Sequence, residues 1–368
     1  MRSLERITIK NFKSIREQTL NLRRLNLFIG GNGAGKSNLI QAFRFLREVV
    51  QRNLATYSLE RGADNLICFG SQVSKTMSFS LLFGESNTSH GYDITLSPTD
   101  EGGLVINSET VYSHHRTKYP EPYSTVINTG GRESALATSK MRIAQYVQRD
   151  LESYRLYHFH DTSDTSPIKT AGPLDDNAFL RPDASNLAAF LYLLQEKSPD
   201  HYRNIEDTIR QTAPFFDRFN LAPSRLNSDR IRIEWQERGS DEYFNAAALS
   251  DGTLRFMCLS TLLLQPRLPA LILLDEPELG LHPAAIALLA EMLSSASTRT
   301  QVLVATQSVT LVNQFAPEQI WTVDRADKQS VFSHLGKEDL TLWLSDYDSY
   351  EGYSLGELWE KNVLGARP

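Results

Sequence analysis

The sequence predicts an α/β fold in two lobes, with a mixed sheet and an inserted α+β region. Three observations carry this. An apolar strand, Leu25–Ile29, runs into a glycine-rich turn and then into "KSNLIQAFRFLREVVQ", whose apolar residues recur at helical spacing. From Ala248 to "LVATQSVTLV", apolar helices alternate with continuously apolar strands, the pattern of a sheet covered on both faces. Between these ends, residues 77–128 alternate polar and apolar positions, as in "MSFSLLFG" and "YDITLS", which reads as a meander with polar turns.

Taken in order, "LERITIKNF" is an opening alternating strand and not a signal peptide. "ESALATSKMRIAQYVQRDLESY" predicts a helix and "DTSDTSP" a loop. "SNLAAFLYLLQ" predicts a helix capped by Ser185 or Asn186, and "YRNIEDTIRQTA" another. "RIRIEWQER" reads as one further strand. The expected division is an N-terminal lobe at 1–83, an insertion at 84–244, a C-terminal lobe at 245–335 and a docking tail at 336–368. The 368 residues suffice for two cores, and 41% apolar with 22% charged is ordinary for a soluble protein. A net charge of −6 argues against a surface that coats itself with nucleic acid, though it leaves room for a local basic groove. Cys68 and Cys258 lie in apolar surroundings and read as core thiols. The longest apolar stretch, "LSTLLLQPRLPALILL", is broken by prolines and an arginine, so no membrane span is expected and a cytoplasmic setting is.

Three motifs carry chemistry. Gly30-Gly31-Asn32-Gly33-Ala34-Gly35-Lys36-Ser37 fits G-x-x-x-x-G-K-[ST] between strand and helix. Glycines let the backbone approach phosphate oxygens, Lys36 reaches the β- and γ-phosphates, Ser37 ligates Mg²⁺, and the helix start adds its positive end. Leu271–Leu274 followed by Asp275-Glu276 is a buried strand ending at two acids. Beside a phosphate loop, Asp275 is suited to hold Mg²⁺ through water, and Glu276 to orient the attacking water. Leu249-Ser250-Asp251-Gly252-Thr253 opens the helix "LRFMCLSTLLL". Alone it is an ordinary N-cap with a glycine turn; ahead of the acidic strand it reads as a second anion site.

Together these motifs resemble the ABC-type P-loop ATPase head, in the branch that includes SMC, RecF and OLD-like proteins. "ITIKNFKSI" resembles that branch's opening strand, "LSDGT" its signature with Asp251 at a usual glycine position, and "DEPELGLHP" its acidic strand and D-loop. With "YSLGELWEKNVLGARP" at its end, the chain is similar to small stand-alone bacterial AAA-family ATPases without a nuclease domain. The resemblance implies a homodimer, head to tail, around two ATP molecules with Mg²⁺. The signature, Leu249 to Thr253, would face the partner's ATP, and Glu278, Gly280, Leu281 and His282 would lie at the dimer seam. Lys13, Ser14 and Asn38 would join Asn32 to Ser37 around the nucleotide, unless Lys13 and Ser14 are only a basic turn. The branch's metal-touching glutamine corresponds to Gln72, or Gln72 is a solvent-facing turn residue.

At the switch position, where the branch usually has histidine, stands Gln307. Its amide can still donate a hydrogen bond but cannot become cationic. The chain after Asp324 is too short for a nuclease domain, so Glu338, Asp339, Asp346 and Asp348 read as a solvated or docking face. A nuclease or toxin effector would come from a separate protein. His158 and His160 in "YHFHDTSD" lack further ligands at metal spacing. His114, His115, Arg116 and Lys118 with tyrosines are of the kind that binds single-stranded nucleic acid, but the cluster is short and the chain acidic, which weighs against contact there. The expected function is a slow Mg²⁺-dependent ATPase that switches a partner effector or DNA-associated complex, in phage defence or DNA repair. The alternative is a nucleotide-binding scaffold with little turnover that assembles a separate nuclease or toxin. A transporter ATPase fits the opening strand and the insertion poorly, and no acceptor motif supports a metabolic kinase.

Overall fold

The alternation in the opening segment becomes β1 (Ser3–Phe12), with Leu4, Ile7, Ile9 and Phe12 buried. A computed structural model describes residues 2–85, 87–336 and 353–366. After β1 come β2 (Ile15–Asn21), β3 (Leu25–Ile29), α1 (Lys36–Val50), α2 (Leu54–Arg61) and α3 (Ala63–Leu66). The meander follows as β4 (Met77–Glu85), β5 (Thr88–Pro98), β6 (Leu104–His115) and β7 (Tyr123–Asn128), then α4 (Arg142–Glu152). Next are β8 (Tyr154–Tyr157), β9 (Gly172–Pro173), α5 (Leu187–Lys197), α6 (Pro199–Thr212), β10 (Phe216–Phe219), β11 (Arg230–Ile231), β12 (Glu234–Glu237) and β13 (Tyr243–Asn245). The chain continues through α7 (Asp251–Leu264), β14 (Leu271–Asp275), α8 (Pro283–Ser297), β15 (Gln301–Thr306) and α9 (Val309–Val312). It ends with β16 (Ile320–Ala326), β17 (Gln329–His334) and α10 (Leu355–Glu360).

Two compact units result. The first holds residues 1–154, 269–273 and 300–368; the second holds 155–268 and 274–299. The unit boundaries thus differ from 83/84 and 244/245. The reason is in the pairing. β4 lies antiparallel to β1, with Ile7 opposite Leu81, so the meander extends the sheet that β1 began and forms no body of its own. That first sheet runs β2-β1-β4-β5-β6-β7, every pair antiparallel. The apolar stripe of α1 packs on it through Phe45, whose ring centroid is 5.7 Å from Phe12 and 5.4 Å from Phe79.

The other large sheet has the order β17-β16-β3-β15-β14-β8. Within the first unit, β3 is wholly buried and lies parallel to β15 on one side and β16 on the other. Ile29 is in register with both Thr306 and Thr322, so the chain leaving β15 and the end of β16 arrive beside the turn that follows β3.

In the second unit, α7 buries Leu254, Phe256, Met257 and Leu259. Cys258 is fully buried there, and burial pushes its thiol pKa far up, as expected of an inert core thiol. Small sheets β10-β12-β13 and β11-β9 complete this unit. "RIRIEWQER" is therefore two short strands and not one, because β11 pairs with β9 while β12 pairs with β10 and β13. Asn186 does stand at the N-cap position of α5. Its side chain serves the preceding loop instead, accepting from Arg181 N and donating to the Asp176 and Phe179 carbonyls. The helix foreseen over 133–154 begins only at Arg142, after a 3₁₀ turn at Leu136–Thr138. No described helix is long and apolar enough to cross a membrane.

Candidate nucleotide site

The phosphate loop lies in the first unit, between β3 and α1. Gly30, Gly33 and Gly35 have φ of 159°, 78° and 120°. Gly35 caps α1, and a Cβ there would sit 1.9 Å from Ser330 Oγ, so both its backbone conformation and its surroundings require glycine. Lys36 is only 5% exposed; its ammonium donates to the Gly30 carbonyl and, at 3.1 Å, to the Gly31 carbonyl. Among the described residues, the N–H groups of Asn32, Gly33, Gly35 and Ser37 meet no acceptor, while Ala34 N and Asn38 N donate to Gly31 and Gly35. A helix start and a glycine turn thus present several unpaired donors together.

Polar side chains brace the loop. Asn38 Nδ2 donates to Ser14 Oγ at 2.6 Å, Ser14 Oγ meets Ser330 Oγ at 2.6 Å, and Ser330 Oγ donates to the Ala34 carbonyl at 2.6 Å. Ser14 therefore belongs to the wall of the loop. Lys13 turns instead to α1, where its Nζ donates to Gln41, and burial followed by the Arg61 charge lowers its pKa. Gln307, just past β15, donates from Nε2 to Asn32 Oδ1 at 2.9 Å. Ser308 then caps α9 by accepting from Leu311 N at 3.1 Å. Gln72 is exposed in the turn after α3, and no described hydrogen bond joins it to the loop.

The second unit carries the acids, the signature and the D-loop. Asp275 is the last residue of β14, and Glu276 follows at φ 45°, a left-handed backbone held at the strand end. Ser250 caps α7, accepting from Thr253 N at 3.2 Å, with Thr253 Oγ1 2.8 Å from its hydroxyl. Asp251 is exposed in the first turn. Signature and D-loop touch: a Cβ on Gly252 would lie 2.4 Å from the Gly280 carbonyl. His282 caps α8, its Nδ1 accepting from Ala284 N at 3.3 Å, and Glu278 is buried. His158 and His160 have ring centroids 6.0 Å apart. Among the described residues no group of three or more His, Cys, Asp and Glu forms a metal cluster. Glu338, Asp339, Asp346 and Asp348 lie outside the described residues.

A family model described as "AAA domain, putative AbiEii toxin, Type IV TA system" matches residues 25–313. The chain belongs to that family. No curated protein matches this AAA-domain chain. A crystal structure of an Smc head bound to the C-terminal winged-helix domain of ScpA is 17% identical, covering 92% of this chain and 99% of that one, with a TM-score of 0.58. An Smc head domain with an extended coiled coil, bound to the C-terminal domain of ScpA from Pyrococcus furiosus, is 16% identical, covering 95% and 100%, with a TM-score of 0.57. These likenesses show that the AAA-domain chain has the fold of Smc head domains.

Two residues of this AAA-domain protein were not singled out from sequence. Arg325 donates from Nη1 to the Gly33 carbonyl at 3.1 Å, beside the loop. Arg255, one turn past Ser250, donates to the Phe159, His160 and Leu279 carbonyls at 3.1, 3.1 and 2.8 Å. It thereby ties the signature helix to the D-loop. Its spacing from Ser250 was the available signal; Arg325 had none, because its nearness to Gly33 arises only from strand order. The basic–aromatic cluster is partly spoken for, since Arg116 pairs with Glu5 and His114 Nε2 meets the Tyr119 carbonyl at 2.9 Å.

Proposed function

We propose that the protein is a Mg²⁺-dependent ATPase switch that dimerises head to tail around two ATP molecules and signals to a separate effector. The observation that carries this is the Gly30–Ser37 loop, with its unpaired N–H groups and the buried Lys36 ammonium. Such a donor array matches a run of phosphate oxygens. Around it, Ser14, Asn32, Gly33, Ala34, Gly35 and Asn38 shape the loop, and Lys13 backs its helix. The donor chemistry also fits the metal: a hydroxyl at Ser37 and a carboxylate at Asp275 are the hard oxygen ligands Mg²⁺ takes. Mg²⁺ held there would neutralise phosphate charge. Glu276 is the group to accept the proton of the attacking water, and Gln72 a candidate to orient it.

Across the dimer, Ser250 and its neighbours Leu249, Asp251, Gly252 and Thr253 meet the second copy's triphosphate, with Glu278, Gly280 and His282 at the seam. The toxin context in the family's description supports a separate effector protein, in phage defence or DNA repair, with DNA as a further partner. One observation favours a slower, scaffold-like variant: Gln307, bonded to Asn32, cannot take a proton.

The test is direct. Wild type should bind and slowly hydrolyse ATP only with Mg²⁺. Lys36→Ala should lose binding, while Glu276→Gln should bind ATP and lose about a hundredfold or more in turnover. A wild type that binds no ATP, or a Glu276→Gln variant with wild-type turnover, would sink the reading.

A further inference from the structure

The C-terminal segment, described from Tyr353 to Ala366, is not loose chain. Trp359 is fully buried, and its indole N–H donates to the Ala366 carbonyl, so the segment closes on itself. Ser354 and Glu357 form a reciprocal cap on α10. Two anchors then fix the segment to the first unit. At one, Gly356 N donates to Asn313 Oδ1 at 2.6 Å, and a Cβ on Gly356 would lie 2.5 Å from Val309 Cγ1. At the other, Ala366 N donates to Asp324 Oδ2 at 2.7 Å, and Gly365, at φ 70°, lies so close that a Cβ would be 3.0 Å from that same oxygen.

Both anchors stand next to residues that grip the phosphate loop. Val309 is two residues from Gln307, which bonds Asn32; Asp324 adjoins Arg325, which bonds the Gly33 carbonyl. The segment also reaches the loop's own cleft. An open cavity of about 690 Å³ is lined by Gly31–Ala34, Asp324, Arg325 and, from the segment, Asn362, Gly365 and Ala366. Its size falls within the roughly 300–1,000 Å³ of small-molecule sites.

We infer that the C-terminal segment is a wall of the nucleotide site: docked on Asn313 and Asp324, it holds Gln307 and Arg325 against the phosphate loop and so sets nucleotide affinity. This rests on the nucleotide reading above. Gly356, Asn313 and Asp324 are positioning residues on this account. None needs to touch ATP. A loop held in its bound shape by outside contacts loses less conformational freedom on binding, which is how a remote dock raises affinity.

The experiment measures mant-ATP affinity, and the melting temperature without nucleotide, for the full chain and three variants. Asp324→Ala removes the acceptor for Ala366 N. Asp324→Asn keeps an oxygen there. Gly356→Leu forces the segment off α9. The expected result is about tenfold weaker binding for Asp324→Ala and Gly356→Leu. Asp324→Asn should stay within about threefold of wild type, and the two Asp324 variants should melt alike without nucleotide. Unchanged affinity in Asp324→Ala and Gly356→Leu overturns the inference. So does an affinity that falls only in step with the nucleotide-free melting temperature, because a purely structural tail would behave so. A wild type that fails to bind mant-ATP overturns the nucleotide reading itself, which separates the two failures.

Discussion

On the proposed reading, Gln307 sets how fast the site turns over. Its amide donates to Asn32 in the loop, where an imidazole could in addition take up a proton. Gln307→His should raise ATP hydrolysis and give it a dependence on pH near neutrality that wild type lacks. An identical rate and profile would make the position structural. A second residue sets behaviour in acid. His90 on β5 is 6% exposed, both ring nitrogens lack hydrogen bonds among the described residues, and its ring stacks on Tyr146 at 5.2 Å. Arg2 and Arg149 also lie against that tyrosine, at 5.7 and 5.4 Å. Burial first, and the Arg2 charge second, hold the His90 pKa down to about 4. The folded chain keeps His90 neutral where the unfolded chain is already protonated, so stability falls as pH drops from about 6.5 towards 4. Between pH 7.5 and 5, wild type should lose about 2 kcal/mol more than His90→Phe in urea unfolding. Equal losses would remove His90 from the account.

At the scale of elements, β6 is locked by one buried carboxylate. Glu109 accepts from Tyr92 Oη on β5 at 2.7 Å, from Ala135 N at 2.8 Å and from the Ser134 hydroxyl. Glu109→Leu removes the acceptor of two buried hydroxyls and of the part-buried Ala135 N–H and should cost about 3 kcal/mol, while Tyr92→Phe removes one donor and should cost about 1. Similar losses for the two, read from denaturant midpoints, would show that the network is not what holds β6. The elements also show what sequence can reveal. The turn and helix of residues 30–50 were legible because glycine, lysine and apolar spacing act within a few residues of one another. The pairing of β4 with β1 was not, since alternation in "MSFSLLFG" says that a strand exists and not which strand it joins. "RIRIEWQER" misled for the same reason, two partners cutting one pattern into β11 and β12. Ser330 beneath Gly35 and Arg325 against Gly33 depend on β16 and β17 returning some 290 residues later along the chain, a relation no local pattern encodes.

For the whole molecule, the head-to-tail reading makes ATP part of an association equilibrium. With ATP, the slow-turnover Glu276→Gln chain should sediment as a dimer, since a γ-phosphate retained between two surfaces favours the closed state. Ser250→Arg places a long cation at the capped start of α7 and should keep the chain monomeric while it still binds ATP. A profile that ATP does not alter in Glu276→Gln would count against the dimer. One feature of the large sheet bears on how the protein is made. β3 lies between β15 and β16, so both its neighbours are synthesised long after it. A nascent chain holds its complete glycine–lysine motif well before the strands that flank it exist. On the proposed reading, a product terminated before β15 would carry the motif without the strands beside it, and it should fail to hold nucleotide.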